Sequence, residues 1–191
     1  MNNFFDIVAP IYEKLHFGAQ KTFDKIKSIA IFESSDKVVD LGGGTGRIAN
    51  LLADEVQKIT VVDTSEGMLK QCRQRHPKLS CIQAKAQNLP FADDSVNKVI
   101  IVDAFHHFQD QKQVVREIER VLVKNGKVVV EEFNPLRMIG KMVVIMEKIF
   151  LMGSAFYTPA SLADLFSSNG FKIQLINEHR TSYYMIGEKI Y

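Results

Sequence analysis

The chain has 191 residues, 46% hydrophobic and 24% charged, which is enough apolar material for the core of one α/β domain and too much for a disordered segment. A net charge of +2 makes no electrostatic claim on nucleic acid, and no apolar run reaches the roughly 18 residues of a membrane span. The start, Met1-Asn2-Asn3-Phe4-Phe5-Asp6, lacks a basic stretch followed by an apolar one, and Cys72 and Cys81 lack metal-type spacing, so the expectation is a cytoplasmic protein without a leader and with reduced, structural thiols.

Residues 1–30 read as an amphipathic helical segment, with Phe4, Phe5, Val8, Ile11, Tyr12 and Leu15 on overlapping faces and a break at Pro10. A first strand is expected over 37–41, a glycine loop, then a helix over 46–55. A second strand covers 58–63, and Thr64 or Ser65 caps a helix that stops near Arg75, before Pro77. The third strand covers 79–84, followed by a turn-rich loop from Leu89 to Ser95. The fourth, over 97–102, is apolar enough to be buried on both faces. A helix over 111–123 aligns Val114, Val115, Ile118, Val121 and Leu122 and is expected to end at Asn125-Gly126, ahead of a fifth strand over 127–132. An apolar helix over 137–152 follows, then a helix capped by Thr158 with Pro159 in its first turn, and two strands over 171–177 and 181–190 that read as a hairpin joined by a short polar turn. Alternating strands and helices up to residue 132 predict a parallel sheet with right-handed crossovers and helices on both faces.

The chemistry starts at the first strand. Val38-Val39-Asp40-Leu41 runs into Gly42-Gly43-Gly44-Thr45-Gly46 and a helix. Glycines at alternate positions let the backbone take positive φ and approach a ligand closely. The next strand ends in Asp63, at the position where a nucleotide fold presents a carboxylate to a ribose diol. The pair points to an adenosine-containing cofactor. Gly44-Thr45-Gly46-Arg47-Ile48-Ala49 fits a dinucleotide fingerprint, which leaves an NAD-dependent oxidoreductase as one reading. The register Asp40, Gly42, Gly44, Gly46 starts at the strand end and suits a cationic cofactor without phosphates, which needs close backbone approach and carboxylates.

That register resembles motif I of the class I S-adenosylmethionine-dependent methyltransferases. The segments Lys85-Ala86-Gln87-Asn88-Leu89-Pro90-Phe91-Ala92-Asp93-Asp94-Ser95, Val102-Asp103-Ala104-Phe105-His106-His107-Phe108, Glu117 to Lys127 and Phe5-Asp6-Ile7-Val8-Ala9-Pro10-Ile11-Tyr12 are similar, in order and spacing, to those of its type 11, ubiquinone/menaquinone biosynthesis-like branch. The resemblance implies one Rossmann-like methyltransferase domain over 1–191, with a mostly parallel seven-stranded sheet and a C-terminal antiparallel hairpin. Residues 1–30 become a lid and 133–157 a substrate cap. The cofactor implied is S-adenosyl-L-methionine, with S-adenosyl-L-homocysteine as product and a small molecule as methyl acceptor. Gly42, Gly44 and Gly46 would line its methionine half, Asp40 face its amino group, Asp63 hold the ribose and Met68 lie near the adenine. Ala86 would offer a backbone amide to the adenine with Gln87 beside it, and Asp103 would sit by the sulfonium at the mouth of the acceptor pocket. Lys85 departs from the family, which has Asp there to accept from the adenine amino group; lysine has no acceptor, so Gln87 substitutes or affinity falls. Val96-Asn97 replaces a Phe-Asp pair.

If the acceptor carries a proton, His106, His107, Asp103 and Tyr12 are the candidate bases, Tyr12 also as part of the lid. One of Glu131 and Glu132, at the carboxyl end of the fifth strand, is expected to face the substrate. No third ligand is spaced to join the two histidines, so no metal is expected. The helix over 137–152, with Arg137, Lys141 and Lys148 on one side, reads as a packing or dimer surface, or as a greasy cap over an apolar acceptor or a contact with the membrane surface. The chain is expected to be a monomer or homodimer. Without a base-clamping motif, second domain or basic stripe, no nucleic-acid partner is expected. A non-catalytic cofactor binder or regulatory partner on the same fold is the alternative function.

Overall fold

The computed structural model describes residues 5, 6, 9, 19–149, 154–176 and 180–191. Helix α1 (Ala19–Ala30) leads into β1 (Lys37–Leu41), the glycine loop and the short α2 (Arg47–Leu52). Then come β2 (Lys58–Asp63), α3 (Glu66–Arg75), β3 (Ser80–Gln83) and β4 (Val96–Val102). A single 3-10 turn (Phe105–His107) precedes α4 (Gln111–Val121) and β5 (Leu122–Phe133). The chain continues with α5 (Met138–Ile149), α6 (Pro159–Ser167), β6 (Phe171–Ile176) and β7 (Ser182–Lys189). The strands form one seven-stranded sheet in the order β3-β2-β1-β4-β5-β7-β6. Pairings are parallel from β3 to β5, and β7 runs antiparallel to both β5 and β6.

Side-chain alternation gives the sheet two apolar faces. Along β4, Val99 and Ile101 point to one face and Ile100 to the other; along β5, Val128 and Val130 oppose Val129 in the same way. One face is covered by α1, α2 and α3 through Phe23, Ile26, Ile48, Leu52 and Leu69. The other is covered by α4 and α6 through Val114, Ile118, Val121, Leu162 and Phe166. Burial on both faces explains the near-continuous apolar runs of β1, β2 and β4. Ser65 caps α3 by accepting from Met68 N at 3.1 Å, and Thr158 caps α6 by accepting from Ser161 N at 3.2 Å, with Pro159 in the first turn.

One boundary differs from the sequence reading. Helix α4 ends at Val121, and Leu122 already pairs with Val96. The ladder then shifts, so that Lys98 pairs with Lys127, and Asn125 takes φ +63° in between. Asn125-Gly126 therefore forms an irregularity inside a longer β5 rather than a helix stop. Glycine is required there because a Cβ on Gly126 would lie 2.7 Å from the Val123 carbonyl oxygen. The expected break at Pro10 and the polar turn between β6 and β7 lie outside the described residues. Among the described residues no helix is long and apolar enough to cross a membrane.

Candidate active site

The carboxyl ends of the parallel strands form one rim, and the switch in strand order between β1 and β4 opens a crevice there. Gly42 (φ +74°), Gly44 (+55°) and Gly46 (+79°) take the left-handed backbone that carries the chain from β1 into α2. They serve different ends. A Cβ on Gly46 would lie 2.7 Å from Cys72 Sγ and 2.8 Å from Leu79 Cδ1, so that glycine lets α3 and β3 pack beneath the loop. A Cβ on Gly44 would find nothing nearer than Asp63 Oδ2 and Met68 Sδ, both at 3.9 Å. The space over Gly44 is open, bounded by a carboxylate and a thioether.

Asp63 ties this half of the site together. Its Oδ2 accepts from Gly44 N at 3.0 Å and its Oδ1 from Ser65 N at 2.8 Å. Burial pushes its carboxyl above the ordinary range, while these backbone bonds pull the other way. Asp40 lies beneath the loop with 2% of its surface exposed. Its Oδ2 has no hydrogen-bond partner, and a Cβ on Gly43 would lie 2.5 Å from it. Burial lifts Asp40 from 3.8 to about 7; an Ala49 backbone hydrogen bond lowers it, Asp63 adds to the rise and Arg47 opposes it. A buried carboxylate oxygen without a donor, beside an open glycine cradle, suits a ligand that brings positive charge and donors. The amino group and sulfonium of S-adenosylmethionine meet that requirement.

The segment after β3 carries the residues expected at the adenine. Ala86 and Met68 are buried and Lys85 is exposed. Gln87 donates through Nε2 to the Gln109 carbonyl, which turns the amide so that Oε1 remains as an acceptor. From the N-terminal segment, Asp6 Oδ1 accepts from Ser65 Oγ at 2.5 Å and Gly67 N at 2.9 Å, pinning residue 6 to the first turn of α3.

On the acceptor side, Asp103 follows β4 with φ +51°, a backbone that side chains rarely adopt, and donates N–H to the Glu131 carbonyl at 3.0 Å. His106, 2% exposed, has Nδ1 2.6 Å from Glu132 Oε2. The other oxygen of Glu132 accepts from the backbone N–H groups of Phe105 at 2.8 Å and His106 at 3.3 Å. One carboxylate thus fixes both the 3-10 turn and the imidazole ring, an arrangement that favours the tautomer with its proton on Nδ1. Phe156 stacks on His106 with centroids 4.4 Å apart, and Ser154 Oγ lies 3.0 Å from His107 Nδ1. Phe5 meets His107 edge-on at 5.1 Å. Glu131 points to the opposite face, where it accepts from Tyr184 Oη at 3.0 Å, and burial raises its carboxyl. Arg47, Asp103, Glu131, Glu132 and Phe133 share the wall of a cavity of about 160 Å³.

Gly44, Asp63 and Met68 border one open space, Asp40 lies beneath the loop, Gly42 abuts Ala104 and Phe108, and Gly46 packs on Cys72 and Leu79; Asp103, His106 and His107 gather at the next strand ends. Tyr12 lies outside the described residues. The sequence reading left Glu131 and Glu132 undivided; the structure places both on the cavity wall, Glu132 bonded to His106 and Glu131 to Tyr184. It also missed Asp6, Ser154 and Phe156 as parts of the site. Asp103, His106 and Glu132 bring ligand-type atoms within 4.8 Å of one another, a grouping invisible in their spacing. The 2.6 Å between His106 and Glu132 is a hydrogen-bond length.

Comparison with known proteins agrees with this geometry. Residues 39–130 match the family model described as a methyltransferase domain. The demethylmenaquinone methyltransferase of Thermotoga maritima is 33% identical over 138 residues, covering 69% of this chain and 60% of that protein. The ubiquinone/menaquinone biosynthesis C-methyltransferase UbiE of Campylobacter jejuni is 30% identical over 145 residues, covering 68% and 62%. The chain thus spans about three fifths of the length of these curated relatives. The crystal structure of a SAM-dependent methyltransferase from Thermotoga maritima superimposes with a TM-score of 0.81 at 22% identity, over 99% of this chain and 100% of that one. With a glycine loop after β1, a carboxylate at the end of β2 and this strand order, residues 39–130 carry a methyltransferase domain, and the fold is the Rossmann-like one of class I enzymes that use S-adenosylmethionine. The curated relatives that it resembles are of the demethylmenaquinone methyltransferase and UbiE type.

Proposed function

We propose that the protein methylates a small aromatic hydroxyl compound of the quinol class, at a ring carbon. The observation that carries this reading is the buried Glu132–His106 dyad beside Asp103, at strand ends where Asp103 and Glu132 also line a cavity. Bound in the cradle, S-adenosylmethionine supplies a methyl group on a sulfonium, ready for in-line displacement with S-adenosylhomocysteine as the leaving group. His106 Nε2 takes the proton from the acceptor hydroxyl, and Glu132 stabilises the imidazolium that results. The phenolate so formed pushes electron density onto the ring carbon that attacks the methyl group; that carbon then loses its hydrogen as a proton to water, and the phenolate regenerated with the aromatic ring takes back the proton held by His106. Asp103 orients the hydroxyl. Proximity and exclusion of water supply most of the acceleration. Residues 1–30 act as a lid, held by Asp6 and Phe5, and 133–157 as a cap that brings Ser154 and Phe156 over the histidines. The names of the relatives support a quinone-related acceptor.

The test is methyl transfer from tritiated S-adenosylmethionine to a short-chain demethylmenaquinol under reducing conditions, with product mass read by spectrometry. A mass gain of one methyl on carbon, lost in His106→Ala with homocysteine-product binding intact, is the expected result. Tight product binding without transfer to any quinol or phenol would overturn the reading and favour a non-catalytic cofactor binder.

A further inference from the structure

Helix α5 carries the largest unexplained surface. Leu136 (63% exposed), Met138 (79%), Ile139 (51%), Met142 (60%) and Ile145 (57%) lie on it or just before it. Elsewhere, large exposed hydrophobic side chains among the described residues are confined to Ile31, Ile190 and Tyr191. At about 100° per residue, Met138, Met142, Ile145 and Ile139 fall within one sector of the helix. Arg137 and Lys141, both exposed, border that sector on one side. The sequence from Asn134 to Met146 contains no acidic residue. The helix begins a few residues after Glu132, on the rim that carries the acceptor cavity.

We infer that this face of α5 docks on an anionic lipid bilayer. An apolar stripe bordered by cations matches a surface that is apolar beneath and negative above. The methionine and isoleucine side chains enter the acyl boundary, and the stems of Arg137 and Lys141 reach back to the headgroups. A water-facing helix would have no use for such a stripe, whereas a second copy of the chain would need acidic groups opposite Arg137 and Lys141. Docking there sets the acceptor rim against the membrane. An apolar quinol could then enter the cavity without crossing water, a consequence that rests on the function proposed above; the docking itself does not.

The test is sedimentation of the full chain with vesicles of phosphatidylcholine alone and of equal parts phosphatidylcholine and phosphatidylglycerol, with no cofactor or acceptor present. The expected result is binding to the anionic vesicles, weak binding to the neutral ones, and a fall of tenfold or more in Met142→Glu. In the double variant Arg137→Gln/Lys141→Gln the preference for anionic vesicles should fall by about tenfold. Unchanged binding of S-adenosylhomocysteine in each variant certifies that the fold is intact. Indifference of the wild-type chain to both vesicles would overturn the inference. So would a wild-type dimer in analytical ultracentrifugation that Met142→Glu converts to monomer without any vesicle binding, since a second copy would then cover the face. A protein that binds vesicles but transfers no methyl group would refute the proposed function and leave the docking standing.

Discussion

Asp40 sets stability against cofactor binding, and Asp40→Asn separates the two. The carboxyl is lifted from 3.8 to about 7, first by burial and then by the charge of Asp63, with Arg47 and the Ala49 backbone opposing. A raised carboxyl means that the folded chain holds the proton more tightly than the unfolded one. The associated stability is full below pH 3.8 and is lost as the pH rises through about 7. At about 1.4 kcal/mol per pH unit, the raised carboxyl costs the empty protein on the order of 4 kcal/mol at pH 8, where it is forced to ionise, and on the order of 1–2 kcal/mol at pH 5, where the folded chain keeps a proton that the unfolded one has lost. Asparagine keeps the shape, and its carbonyl can still accept from Ala49. Urea unfolding should therefore find Asp40→Asn more stable than wild type, with a gain at pH 8 that exceeds the gain at pH 5 by about 2–3 kcal/mol. Calorimetry at pH 8 should find S-adenosylmethionine binding weakened by tenfold or more, because the charge that receives a cationic ligand has gone. A variant less stable than wild type at pH 8, or a gain equal at both pH values, would refute the reasoning.

The two flanking glycines should fail in opposite ways. Gly46→Ala forces a methyl group onto Cys72 and Leu79 at a left-handed φ and is expected to cost about 2–4 kcal/mol in thermal or urea unfolding. Gly44→Ala, with open space above it, should cost only about 1–2 kcal/mol yet abolish S-adenosylhomocysteine binding in calorimetry. Glu132→Gln can still accept from the Phe105 and His106 amides but loses the charge beside the ring; kcat should fall by about 10²-fold with KM within a factor of a few. Glu132→Ala should instead destabilise by about 3 kcal/mol in urea unfolding, because it strands the buried ring and two amides. At the adenine edge, Lys85→Asp supplies an acceptor where lysine offers none, so product affinity should rise several-fold by titration, and Gln87→Ala should lower it by about tenfold.

Much of the sheet could be read in the sequence because burial on both faces leaves an unmistakable record. Val38-Val39, Ile59 to Val62 and Val99 to Val102 are too apolar and too short for anything but central parallel strands. Ser65 and Thr158 were legible as caps because a cap bonds within its own turn. The turn from β1 into α2 was legible because alternate glycines take the left-handed backbone it requires. Contacts that depend on register were not. His106 and Glu132 are 26 residues apart, and nothing in either segment says that the β4–β5 ladder will align them. Asp6 reaches Ser65 across 59 residues, and the Ser154 contact with His107 spans 47. Asn125-Gly126 misled for a local reason: the pair fits a helix end and a strand irregularity equally well, and the pairing of Leu122 with Val96 decided the matter.

The position of β7 bears on how the chain acquires its shape. Strand β7 comes last in sequence yet sits between β5 and β6, bonded to both. While the polypeptide leaves the ribosome, β5 has its β4 neighbour early but shows a bare row of amides and carbonyls on the other side. Strand β6 has no partner of its own until β7 arrives. That interval is when sticky edges of separate molecules can meet. Truncation within Tyr183 to Ile186, which pair with Val129 to Glu132, would make the interval permanent. The expected outcome is insoluble protein rather than a soluble enzyme missing one strand, since the same residues of β5 carry Glu131 and Glu132 into the site.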